Sequence, residues 1–123
     1  MSEVELNEAE MPEVELSYAL NEIVGKMVEL YEEKIYSIIL YGSYARGDFD
    51  AESDVDIALI VYAPLERERK KKAISFVSDM DMKYDMEFSL IDLDKSTYDK
   101  WVEVLPFYKN IRDEGKLLWM RQV

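Results

Sequence analysis

The 123-residue chain contains no cysteine and no histidine. The first absence excludes disulfides, zinc–thiolate sites and thiol nucleophiles together. The second removes the residue that most often acts as general base near neutral pH, and it leaves any metal to oxygen ligands, which suit Mg2+, Mn2+ or Ca2+ over zinc. Glycine and proline are scarce, at four and three residues. No apolar run approaches the roughly 18 residues a membrane span needs, and the N-terminus is acidic where a secretory signal is basic, so a soluble cytoplasmic protein without membrane contact is expected. What the chain does have is a globular balance, 49% apolar and 34% charged, at a length that suits one domain with one core.

The net charge of −12 is unevenly spread. Residues 1–33 carry ten acids against the single base Lys26, so the body of the chain is close to neutral. Direct nucleic-acid binding through phosphate contacts is therefore not expected. Residues 1–16 set Glu3, Glu5, Glu8, Glu10, Glu13 and Glu15 among isolated apolar residues with Pro12 between them, which reads as an acidic tail or arm ahead of a single domain over 17–123.

From Ser17, a suitable N-cap, Leu20, Ile23, Val24, Met27, Val28 and Tyr31 recur at helical spacing and predict a helix over 18–34. Ile35 to Tyr41 is short, β-branched and nearly all apolar, as is Val55 to Tyr62, and both read as buried strands. Between Pro64 and Met82 a helix with the apolar face Ala73, Ile74, Val77 and Met80 is expected, its basic run Arg67 to Lys72 solvated. A third strand over 84–92 alternates Met86, Phe88 and Leu90 against Asp85, Glu87 and Ser89. A helix capped by Ser96 or Thr97 follows and breaks at Pro106. A short helix over 107–114 then ends at Gly115, and a last strand covers Leu117 to Met120. The fold class is α/β in the α+β sense: a small mixed sheet packed against helices.

Two segments carry chemistry. In Tyr41-Gly42-Ser43-Tyr44-Ala45-Arg46-Gly47 a strand end meets a glycine turn and a helical start, a place where backbone N–H groups can approach a phosphate. In Ser53-Asp54-Val55-Asp56 the two acids sit two residues apart, so a strand presents both carboxylates on one side. Their repulsion at the head of an apolar strand calls for a divalent cation or a strong cationic partner. Asp85 or Glu87, on the polar face of the third strand, completes a three-carboxylate cage if that strand lies beside the second. Such a cage suits two-metal phosphoryl transfer, which needs no histidine.

The run Gly42-Ser43-Tyr44-Ala45-Arg46-Gly47, the five-residue spacer and Ser53-Asp54-Val55-Asp56 before Ile-Ala-Leu-Ile-Val resemble the signature of the minimal nucleotidyltransferases of the DNA polymerase beta superfamily. The ending Leu105 to Ile111 with Glu114-Gly115 is also similar to that family, so the likeness covers about 18–120. The resemblance implies a polymerase beta-like fold, Gly42 and Ser43 on the nucleotide phosphates, Asp54 and Asp56 as Mg2+ ligands, and two Mg2+ ions with ATP as substrate. It favours Asp85 as third carboxylate over Glu87. Family members often carry arginine where this chain has Tyr44, so either that phosphate contact is absent or Arg46 makes it. Many such proteins are antitoxins of small helical HEPN ribonuclease toxins encoded beside them, which implies transfer of AMP to a tyrosine of the toxin. The alternatives are an antitoxin that acts by binding alone, and a nucleotidyltransferase subunit acting on a small molecule or RNA. A calcium loop over Asp48 to Asp56 is disfavoured, because its sixth position would be Ser53 where glycine is required.

Overall fold

The computed structural model describes residues 11–122. Its elements run α1 (Met11–Tyr31), β1 (Ile35–Tyr41), α2 (Ser43–Arg46), β2 (Val55–Val61), α3 (Arg67–Tyr84), β3 (Phe88–Asp94), α4 (Lys95–Trp101), α5 (Pro106–Glu114) and β4 (Lys116–Met120), with a 3-10 turn at Glu32–Lys34. The strands form one sheet in the order β3-β2-β1-β4. β1 pairs antiparallel with β2 and β4, while β2 and β3 run parallel, so the sheet is mixed as expected. None of the described helices is long and apolar enough to cross a membrane.

The absence of alternation in β2 has a direct cause. Val55, Ile57 and Leu59 enter the main core with Ile23 and Met27 of α1 and Met80 of α3. Ala58 and Ile60, on the other side of the strand, pack with Ile39 and with Ile111 of α5. A strand covered on both faces needs apolar side chains at every position. Burying large aliphatic side chains such as Ile23, Ile57 and Leu59 stabilises the fold by about 1.5–3 kcal/mol each.

Several boundaries differ from the sequence reading. α1 already includes Met11 and runs through Ser17, which therefore does not cap it. Leu16 and Ala19 carry the apolar face onto the core. The acidic arm expected over 1–16 is thus helical over 11–16, and its remainder lies outside the described residues. Asp94, not Ser96 or Thr97, caps α4, accepting the Thr97 N–H at 3.1 Å. Pro106 opens α5. Phe76 packs on the core where Ile74 was expected, and Ile74 is exposed. Arg69, read as part of a solvated face, donates to the Leu30 carbonyl at 3.0 Å and pairs with Glu32 and Glu66, so it satisfies an orphan carbonyl in the last turn of α1.

The third strand shows the most consequential difference. It starts at Phe88, because nothing in Asp81-Met82-Lys83-Tyr84 stops α3, and Asp85 ends that helix in the left-handed conformation (φ 51°, ψ 48°). Aspartate tolerates this region better than most residues. The Asp81 carboxylate then accepts the Phe88 N–H at 2.8 Å and sets where the strand begins.

Gly115 follows α5 with an ordinary φ of −70°, so its role is not left-handed geometry. A β-carbon there would lie 2.2 Å from the Ile111 carbonyl oxygen and 2.6 Å from Ile39 Cγ2. Backbone at that distance cannot step aside. Gly115→Ala is expected to destabilise the protein by about 1–3 kcal/mol, read as a lower urea midpoint with an unchanged slope.

Candidate active site

β1 delivers the chain to Gly42, whose φ of 76° and ψ of −156° lie in a region that is essentially glycine-only. The Gly42 carbonyl accepts the Ala45 and Arg46 N–H groups at 3.1 Å each, and Gly47 (φ 87°) closes the four-residue helix α2 by donating to the Ser43 carbonyl at 2.8 Å. A second constraint acts at the same residue: a β-carbon on Gly42 would stand 2.4 Å from Asp56 Oδ2. The turn and the carboxylate are therefore in near contact, and only glycine admits both.

Asp56 faces Tyr41 across the antiparallel pair. It shares its side of β2 with Ala58 and Ile60, so it points to the side of the sheet covered by α4 and α5. In the parallel ladder Val55 lies beside Phe88, and the Val55 N–H donates to the Glu87 carbonyl at 2.7 Å. That register brings Glu87 to Asp54. A hydrogen bond from the Glu87 carboxyl to Asp54, reinforced by the Asp54 charge, raises the Glu87 pKa above its ordinary value. Asp56 is raised too, first by burial and then by the Asp54 charge, with Arg46 opposing. Burial and the nearby Asp56 likewise raise Tyr41. Asp85 is an exposed helix cap, and the strand whose alternation was to place it beside Glu87 begins only at Phe88.

Among the described residues no three carboxylates already stand together as a metal cage. The donors nevertheless fit a hard divalent cation in chemistry and in charge. Asp54 stands just ahead of β2 between Asp56 and Glu87, all three offer oxygen only, and the charged forms of two of them are disfavoured, that of Asp56 first by burial and then by Asp54, that of Glu87 by Asp54. The cation that acts on Asp56, Arg46, is already engaged. Its Nε donates to Asp48 Oδ2 at 3.2 Å and its Nη1 lies 3.5 Å from Glu114 Oε2. Such exposed pairs are weak, so Arg46 can exchange them for a phosphate at little cost.

The loop between α2 and β2 is braced from within. Tyr44 stacks on Phe49 with ring centroids 4.2 Å apart and planes 8° from parallel. Asp50 Oδ1 accepts the Glu52 N–H at 2.9 Å, and Ser53 Oγ accepts the Asp50 N–H at 3.0 Å. Asp50 thus serves the loop, and Tyr44, at the position where arginine was the comparison, makes an aromatic contact that fixes the approach to Asp54. The sequence held a hint in two aromatics flanking Gly47. Nothing local pointed to Glu114, which reaches Arg46 only because β4 brings the end of α5 alongside β1.

A cleft of about 190 Å3 opens at this site, bounded by Gly42 and Arg46 on one side and α5 on the other. A larger groove of about 560 Å3 lies between α3 and β3, lined by Met27, Leu59, Val77 and Leu90 of the main core side. None of Gly42, Arg46, Asp54, Asp56 and Glu87 lines it. The smaller cleft is the one that adjoins reactive groups.

A glycine turn thus stands against Asp56 of the Asp-x-Asp pair at the head of β2, within helices packed around a mixed sheet. The nucleotidyltransferase domain family model matches residues 20–117, and the chain belongs to that family. Two Methanocaldococcus jannaschii proteins named putative protein adenylyltransferase are similar to it. MJ0141 is 32% identical over 95 residues, covering 77% of this chain and 96% of that protein, and MJ0604 is 30% identical over 101 residues, covering 82% and 95%. The fold is shared with a MntA–HpeT toxin–antitoxin crystal structure (TM-score 0.55, 21% identity, 84% of this chain and 74% of that one). It is also shared with a structure of the tri-AMPylated Shewanella oneidensis HEPN toxin in complex with MNT antitoxin (TM-score 0.52, 19% identity, 86% and 73%).

Gly42→Ala tests the contact on which this geometry turns. The substitution is expected to cost about 1–3 kcal/mol from backbone strain, and to displace Asp56. Nucleotidyl transfer should fall by about 100-fold at a temperature where circular dichroism shows the variant still folded.

Proposed function

We propose that this nucleotidyltransferase transfers AMP from ATP, with Mg2+, to a tyrosine hydroxyl of a HEPN-type toxin encoded by an adjacent gene, and so acts as its antitoxin. The observation that carries the chemistry is the convergence of the Gly42 turn, Asp56, Asp54 and Glu87 at one end of the sheet. The acceptor is supported by the names of the two relatives, both protein adenylyltransferases, and by the fold shared with antitoxins in complexes with such toxins.

Gly42 and Ser43 hold the nucleotide phosphates through the exposed N–H groups of α2 and the Ser43 hydroxyl, and Arg46 leaves Asp48 and Glu114 to pair with them. Asp54, Asp56 and Glu87 hold the metal. Glu87 takes the third position in place of Asp85, because the parallel register sets it beside Asp54 while Asp85 is spent on ending α3. Mg2+ bound there supplies positive charge that stabilises the pyrophosphate leaving group and lowers the pKa of the attacking hydroxyl. The acceptor oxygen forms the new bond to the α-phosphorus as the bond to pyrophosphate breaks, pyrophosphate departs with the bonding electrons, and the hydroxyl proton passes to solvent water.

The test is transfer of label from α-labelled ATP to the partner protein in Mg2+. Asp54→Ala, Asp56→Ala and Glu87→Gln are each expected to lower the rate by about 100-fold or more, while Asp85→Ala stays within a few-fold of the parent. A label retained in the Asp54 and Asp56 variants would overturn the enzymatic reading. Strong loss in Asp85→Ala with Glu87→Gln unaffected would return the third position to Asp85.

A further inference from the structure

α5 presents Phe107, Asn110, Ile111 and Glu114 at helical spacing, so these four share one face. Ile111 is buried in the small core beneath the sheet, which anchors that face against β1. The other three are exposed and line the cleft of about 190 Å3 with Tyr41, Gly42 and Arg46. The cleft is too small for a whole nucleotide, since drug-sized ligands occupy about 300–1,000 Å3. It adjoins Gly42, and Asp56 stands against that residue from the same side of the sheet. A nucleotide whose phosphates meet Gly42 and Arg46 therefore has this cleft as the enclosed space beside them.

The chemistry of the far wall is specific. Phe107 is 48% exposed, and its ring is held edge-to-face by Tyr41 with centroids 6.0 Å apart and planes at 88°. A fixed aromatic with a free surface suits stacking on a base. Asn110 offers one acceptor and one NH2 donor from the next turn of the same helix. The charged groups on the cleft wall, Arg46 and Glu114, are paired with each other at 3.5 Å, and the other polar side chains lining it are the Asn110 amide and the Tyr41 hydroxyl. An amide pairs in bidentate fashion with adenine, accepting from N6 and donating to N7, whereas guanine places a second acceptor, O6, where adenine has its donor.

We propose that this cleft holds the donor's nucleobase and that Asn110 is the residue that selects adenine, with Phe107 stacking on the ring. This rests on the ATP-dependent reading above and assigns the part of that site which distinguishes one nucleotide from another. Equilibrium binding of ATP and of GTP in Mg2+, measured calorimetrically without acceptor, tests it. The parent protein should bind ATP about tenfold or more tighter than GTP. Asn110→Ala should remove most of that ratio by weakening ATP and leaving GTP nearly unchanged, and Asn110→Asp, which keeps the acceptor but loses the donor, should weaken ATP in the same way. Phe107→Ala should weaken both nucleotides alike, by about tenfold. Equal affinities in the parent, or an undiminished ratio in Asn110→Ala, would overturn the assignment while leaving AMP transfer intact. The reading of the whole site fails separately, by the retention of transfer in the Asp54 and Asp56 variants.

Discussion

Asp56 and the Gly42 backbone lie closer than any side chain at position 42 would permit, and most of the site's geometry is a consequence of that approach. The antiparallel pairing of β1 with β2 sets Tyr41 opposite Asp56, so the first residue past the end of β1 must turn away beneath a carboxylate. Glycine alone can take the required backbone angles and leave room for Oδ2. The turn then starts α2, whose Ala45 and Arg46 N–H groups donate back to the Gly42 carbonyl. A glycine turn and a carboxylate are in this way fixed against each other by one strand pairing.

The second strand pairing has a different effect. β2 and β3 run parallel, joined through α3, and their register decides which acid of the segment after α3 meets Asp54. The result is a set of carboxylates whose charged forms disfavour one another, Glu87 being raised by its contact with Asp54, and Asp56 first by burial and then by the Asp54 charge. A protein selected only for stability has little reason to keep such a set. Arg46 lessens the repulsion at Asp56, yet it is itself bound to Asp48 and Glu114, and the local charge balance stays on the side that a divalent cation would complete.

The helices differ in what they contribute. α1 and α3 cover the main core and are tied to one another by the Lys83–Glu22 pair, with Arg69 closing the end of α1. They make the sheet stable and cover the side of it opposite Asp56. α4 and α5 cover less of the sheet and leave aromatic rings exposed near the site, among them Phe107 against Tyr41. Stability and recognition are therefore divided between the two faces, with β2 buried between them.

Much of this was legible in the chain. Helical spacing marked α1 and α3, the unbroken apolar runs marked β1 and β2, and Gly42-Ser43 with Asp54-x-Asp56 marked the site, because periodicity, turn chemistry and the two-residue repeat of a strand are local properties. The errors arose where a local rule had a competitor. Asp85 fits the alternation of a strand, but helix propagation carried α3 past it and a side-chain hydrogen bond from Asp81 fixed the start of β3. Ser17 is a good cap in isolation, yet burial of Leu16 and Ala19 favoured a longer helix. Gly115 was placed correctly at a helix end for the wrong reason, its need being space beside Ile39 and not backbone freedom. The sequence by itself thus determined the kinds of element, the family and the pair of acids on β2. Only the tertiary structure decided that Glu87 meets Asp54, that Glu114 holds Arg46 and that α5 walls the cleft, because strand register and helix docking join residues that no local pattern relates.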